Sequence, residues 1–91
     1  MELKNTIKLM ENKDYKDRFK AEYYQTKIRY EKLKKLNTKI EAFNSMNFDQ
    51  RLNVKEPLHD CPSLILKNQQ RVMGEYLHIL EIRAEIEKIE L

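Results

Sequence analysis

Arg18, Glu22, Gln25 and Arg29 are spaced four, three and four residues apart, so on an α-helix they line one face about three turns long. Tyr15, Tyr23, Tyr24 and Tyr30 border that face. Guanidinium groups grip phosphate oxygens with paired donors, while tyrosine rings stack on bases and their hydroxyls donate. A pocket for a small phosphorylated or nucleotide ligand needs these residue types: Arg18 and Arg29 to neutralise phosphate, Tyr15, Tyr23 or Tyr30 to stack, Gln25 to read a polar edge. Farther along, Gln69 and Arg83 occupy stripe positions where leucine would pack better, and a polar group there costs free energy unless it is paired. They extend the candidate set, Arg83 on phosphate and Gln69 on a polar edge. A plainer use stays open for all of them. Arg18 and Glu22 suit an i,i+4 ion pair on a wet surface, and Gln69 and Arg83 suit the fixing of helix register or pairing with glutamate across an interface.

Catalytic constellations are thin. His59 and His78 fall in different segments, without HExxH or CxxC spacing, so no metal site and no cofactor is expected. Cys61 and His59 are two residues apart just before a helix start, a spacing that seldom aligns a nucleophile with its base. The carboxylates are spread along helix faces and form no isolated apolar pair suited to acid–base work. The expectation is a protein that is not an enzyme.

Two long helices must hold the arginines and tyrosines. Asp14 is a good N-cap with Asp17 in the capping-box position, and no Gly or Pro interrupts the next thirty residues. Phe19, Tyr23, Thr26, Tyr30, Leu33, Asn37 and Ile40 step by four and three in alternation, a near-heptad seam. This predicts a helix over about 15–43, roughly 43 Å long at 1.5 Å per residue. Residues 1–13 form a leader with Leu3, Ile7 and Met10 at helical spacing, read as a short helix or arm. Residues 44–61 collect Asn, Ser, Asp, Pro and His and read as a loop, packed through Phe48, Leu52, Val54 and Leu58, with one helical turn at 48–52.

A second helix is predicted over about 62–88, with Pro62 in its first turn. It carries two apolar stripes side by side. Leu66, Gln70, Met73, Leu77, Leu80 and Ala84 form one; Ile65, Gln69, Val72, Tyr76, Ile79, Arg83 and Ile86 form the other. A hairpin offers one partner helix, so the surplus stripe calls for another chain. The expected architecture is all-α: an antiparallel hairpin of two long helices with a short N-terminal helix over residues 14–91 and 1–13, assembling into a homo-oligomeric bundle.

Composition narrows the rest. Ninety-one residues bury one modest core, and 36% of them are charged, against roughly a quarter in an ordinary domain. Net charge is +3 and unevenly placed: residues 1–44 carry 12 Lys/Arg against 7 Asp/Glu, whereas residues 62–91 carry 4 against 5. A basic first half suits an anionic partner, or simply a solvated face. A single cysteine excludes an intrachain disulfide, and the absence of a signal-peptide pattern or a long apolar run points to the cytoplasm, with no membrane partner. Specific DNA binding lacks its usual helix-turn-helix or basic-zipper spacing.

Two stretches carry a resemblance. Asp14-Tyr15-Lys16-Asp17-Arg18-Phe19-Lys20-Ala21-Glu22-Tyr23, continuing from Gln25 through Leu33, is one. Cys61-Pro62 with Gln69, Met73, Tyr76-Leu77, Leu80-Glu81, Arg83-Ala84 and the terminal Ile89-Glu90-Leu91 is the other. Together they resemble a family of small helical-hairpin proteins from crAss-like and other phages and prophages, over about residues 14–91. In that family a glycine often precedes the terminal Ile-Glu-Leu, where this chain has Lys88. The resemblance implies phage origin and a non-enzymatic accessory role in the host cytoplasm, similar in design to sponges that bind the cyclic nucleotide signals of bacterial immunity between subunits. Expected partners are a second copy and a small nucleotide signal. A host defence protein, or a structural assembly role, is the alternative.

Overall fold

The computed structural model describes residues 1–91. The chain folds as a 3-10 turn over Leu3–Thr6 and four helices: α1 Ile7–Glu11, α2 Tyr15–Ser45, α3 Phe48–Arg51 and α4 Ser63–Glu87. Phe19 faces Arg83, Tyr23 faces Glu81, Tyr30 faces Gly74 and Asn37 faces Gln70. Residue numbers rise along α2 as they fall along α4, so the helices pack antiparallel in a particle 54 × 24 × 20 Å.

Local chemistry sets the ends of α2. The Asp14 carboxylate accepts from the Lys16 amide at 3.0 Å, as an N-cap does. Asp17 does not close a capping box; its carboxylate takes the Asn12 side-chain amide at 2.7 Å, and Asn12 Oδ1 accepts from the Asp14 amide. At the other end the helix runs to Ser45, two residues past the predicted limit. Arg51 turns back to donate to the Phe43 and Asn44 carbonyls and lies over the Phe43 ring at 5.0 Å. A cation here satisfies orphan carbonyls and opposes the negative end of the helix dipole.

The α2–α4 seam holds the core. Phe19 and Tyr23 from α2 meet Leu77, Leu80 and Ala84 from α4, with Ile89 beyond, and Tyr24 and Tyr30 pack against this cluster. Leu80 is 2% exposed, a setting in which truncation to alanine costs about 2–5 kcal/mol. Toward the loop end the seam continues through buried Ile40 and Asn37. Asn37 Nδ2 donates to Gln70 Oε1 at 2.8 Å and to the Leu66 carbonyl at 3.1 Å.

The leader lies against α2 rather than free. Thr6 is fully buried; its hydroxyl donates to the Leu3 carbonyl and accepts from Gln25 Nε2 at 2.9 Å. Gln25 Nε2 also reaches Met10 Sδ at 3.1 Å. One turn before Gln25, Ala21 is buried as well.

Two expectations meet different outcomes. The loop is not packed: Phe48, Leu52 and Leu58 are 76%, 66% and 80% exposed. Two helices offer apolar cover only along their seam, and the loop lies past its end. The second α4 stripe is also uncovered, with Ile65, Gln69, Val72, Tyr76, Ile79, Arg83 and Ile86 all exposed.

Candidate anion-binding seam

The exposed stripe of α4 and the start of α2 meet at Arg83. Its guanidinium lies 4.9 Å from the centre of the Phe19 ring and donates through Nε to Glu87 at 2.9 Å. Its charge lies close enough to the Tyr15 and Tyr76 hydroxyls to oppose, in part, the rise of each. Tyr76 donates to Glu22 Oε1 at 3.1 Å across the seam. Arg18 lies within one turn of Tyr15 and Glu22 on the same α2 face; its Nη1 donates to the Lys13 carbonyl at 2.9 Å. Neither Arg18 nor Arg29 is held by a carboxylate.

Tyrosine ionisation follows from this geometry. Loss of water at the seam and the Glu87 carboxylate push the Tyr15 hydroxyl above its ordinary range, with Arg83 opposing. Tyr76 moves the same way through desolvation and Glu22. Tyr23 is deeper, 5% exposed, and donates to Glu81 Oε2 at 2.7 Å. Burial and that carboxylate push it to about 12. All three phenols are held neutral and donating, a form suited to hydrogen bonding rather than to base chemistry.

The structure brings Tyr15 and Arg83 together at one end of the seam, with Arg18 one turn past Tyr15 on α2 and turned to the Lys13 carbonyl. The other candidates stand apart. Arg29 is eleven residues from Arg18, about 16 Å along the helix, too far to share one phosphate. Tyr23 is spent on Glu81. Gln25 holds the leader. Tyr30 lies on the sole glycine, Gly74, and Gln69 is exposed near the opposite end of α4. Phe19, Tyr76 and Glu87 complete the Arg83 cluster without having been singled out for it, and Glu22, read on the Arg18 face, joins it through Tyr76. No local signal couples Tyr76 to Glu22, 54 residues away.

At the C-terminal end of α4, on the helix side away from Arg83, an open cleft of about 710 Å³ is lined by Tyr23, Glu81, Ala84, Glu85, Lys88 and Ile89, among others. Its carboxylates suit it poorly to anions. No group of three or more His, Cys, Asp or Glu side chains is arranged to hold a metal ion, and no helix is long and apolar enough to cross a membrane. His59 Nδ1 lies 2.6 Å from the Cys61 carbonyl oxygen, a contact to backbone and not to the thiol.

Fold and seam define a small all-helical protein built on two long helices, with arginine and tyrosine gathered on an exposed edge. The chain belongs to the Sequestin family, whose sequence model matches residues 13–86, the two long helices and the loop between them. Comparison with curated proteins and with solved structures yields no match.

Proposed function

We propose that this chain is a phage-encoded, cytoplasmic protein that binds and sequesters a small nucleotide signal of host immunity, a cyclic nucleotide foremost, without cleaving it. It acts as a homo-oligomer, because one pair of helices has too little concave surface to enclose such a ligand. The observation that carries the reading is the Arg83 cluster with Tyr15 on an exposed seam, and Arg18, bound to no carboxylate, one turn along α2 from Tyr15. The family name is compatible with sequestration.

Arg83 is held only by a surface ion pair to Glu87 and by the Phe19 face. An exposed i,i+4 pair contributes about 0.3–0.5 kcal/mol. A phosphate offering paired, charge-assisted acceptors outcompetes it. Arg18 then supplies the second cation, and Tyr15 the stacking surface. Phenols held neutral serve hydrogen bonding to the ligand and not proton abstraction from it, in keeping with binding without turnover.

Isothermal titration with cyclic dinucleotides and cyclic ADP-ribose isomers tests the reading. Heat of binding is expected with at least one, reduced at least about tenfold in affinity by Arg18→Ala or Arg83→Ala, and the ligand is recovered intact. No heat with any of them overturns it.

The exposed Phe48 and Leu58 favour a second reading, a protein that binds and blocks a host enzyme. It predicts a stoichiometric host partner on pull-down, lost with Phe48→Ser and Leu58→Ser while Arg18→Ala leaves it intact.

A further inference from the structure

The uncovered stripe of α4 has an internal symmetry. Its residues run Ile65, Gln69, Val72, Tyr76, Ile79, Arg83, Ile86, with steps of four and three in strict alternation. Read from either end, the order of chemistry is the same: apolar, polar, apolar, tyrosine, apolar, polar, apolar. Gln69 and Arg83 are equidistant from Tyr76, and Ile65 and Ile86, like Val72 and Ile79, from a point half a residue before it. A surface that reads alike in both directions is self-complementary when two copies meet antiparallel, which is the requirement of an isologous two-fold interface.

We infer that a second copy of this chain docks here, α4 against α4 and antiparallel, about a two-fold axis at Tyr76. Ile65 then meets the partner's Ile86, and Val72 meets the partner's Ile79. Gln69 stands beside the partner's Arg83, offering its carbonyl oxygen to the guanidinium. This pairing occurs twice, once on each side of the axis.

Area agrees with that occupant. Ile65, Val72, Ile79 and Ile86 are 52%, 53%, 54% and 75% exposed, with Tyr76 at 39% and Ile82 at 46% beside them. Their accessible side chains amount to on the order of 600 Å², at the upper limit for a lone soluble chain and near the roughly 800 Å² per partner of a stable interface once the polar flanks are counted.

Charge selects the direction. Beside the stripe, Arg71 lies before Gly74, and Glu75 and Glu87 lie after it with Arg83, while Lys67 is taken by Glu41 and Glu81 by Tyr23 on the α2 side. Antiparallel pairing sets the basic half against the partner's acidic half and opposes the two helix dipoles. Parallel pairing sets Arg83 against the partner's Arg83 and each half against its own sign, a repulsion that disfavours it.

The interface also completes the seam described above, since each Arg83 cluster gains Gln69 of the partner subunit. The inference rests on the self-association in the proposed function and not on its ligand, and its tests are run without nucleotide, so a failed titration and a failed interface are separate results.

Light scattering on the full chain at about 100 μM, well above a micromolar dissociation constant, is expected to show an even number of chains. Ile79→Glu should halve that number, weakening the contact at least about 100-fold by placing an unpaired carboxylate in it. Ile79 lies outside the monomer core and glutamate is a good helix former, so circular dichroism should stay unchanged. In a Cys61→Ser background, Tyr76→Cys should link to itself through a short bismaleimide, and Thr38→Cys on α2 should not. A monomeric wild-type chain, an Ile79→Glu variant of undiminished mass, or equal linking at both positions would overturn it.

Discussion

Tyr23 donates its hydroxyl to Glu81 across the α2–α4 seam at 2.7 Å, from a ring 95% withdrawn from water, since only 5% of the residue is exposed. Tyr24 meets the same ring edge-on at 5.3 Å, and Lys27 Nζ lies 5.8 Å from its centroid. The pair ties the two long helices at the depth of the core, and its proton has a direct thermodynamic consequence.

Folding holds the Tyr23 phenol neutral, raising it from 10.0 to about 12. A raised folded value means the native state keeps a proton that the unfolded chain releases. The resulting stability is fully present below pH 10 and is lost as pH rises toward 12. The loss is about 2 kcal/mol. Tyr23→Phe, less stable by about 1 kcal/mol at neutral pH, lacks this dependence. Urea unfolding of both proteins should show the gap closing and then reversing between pH 10 and 12, with Tyr23→Phe the more stable at the upper end; a gap constant with pH would refute the assignment.

Lys88 ends α4 with φ 58° and ψ 46°, the chain's one non-glycine residue at positive φ. Its amide donates to Ala84 O, and the Ile89 amide reaches the same carbonyl at 2.8 Å, so the turn drops Ile89 into the core. A side chain in the left-handed region costs about 1–2 kcal/mol, part of which a glycine returns as unfolded-chain entropy. Lys88→Gly should therefore raise stability by about 1 kcal/mol and lift the melting temperature by several degrees. Lys88→Val should lower both, because a β-branched side chain is worse placed still.

How far this molecule was legible depended on sequence distance. The α2 start was readable from Asp14, and the two α4 stripes from their period, because caps and helical faces are local. The α2 end was not, since Arg51 secures it from beyond the helix. Tyr15, Arg18 and Arg83 were marked out by type and spacing, yet the meeting of Tyr15 with Arg83 depends on how α2 and α4 are registered. Gln25 sits at the same helical angle as Arg18 but serves Thr6, nineteen residues back, a contact that only the docked leader reveals.

At Gly74, α4 passes close to the Tyr30 ring. A Cβ there would lie 3.3 Å from Tyr30 Cε2 and 3.5 Å from its hydroxyl oxygen. Alanine gains about 0.8–1 kcal/mol of helix propensity, which the tight contact offsets. Gly74→Ala is thus expected to be near neutral in the native chain and to show its full gain only in a Tyr30→Ala background. The coupling, about 0.5 kcal/mol or more from a double-mutant cycle, is the readout; strict additivity would mean that the ring yields freely.

Asn37 is 4% exposed, and although its amide nitrogen has two acceptors, Oδ1 has no donor. An orphaned buried acceptor costs about 1–3 kcal/mol, against roughly 1 kcal/mol returned by each hydrogen bond made. Asn37→Leu removes the orphan, and replacing Gln70 as well removes the group that Asn37 served. The double variant Asn37→Leu, Gln70→Leu should be at least as stable as the native chain in urea, whereas Asn37→Asp should lose about 2 kcal/mol or more by setting a carboxylate against the Leu66 and Gln70 oxygens. The polar pair also admits few alignments of α2 on α4, while leucines at both sites would let the near-heptad seam slide by a turn. Amide hydrogen exchange across α4 should therefore quicken in the double variant even as its urea midpoint holds or rises. Equal or slower exchange would show that Asn37 has no part in fixing register.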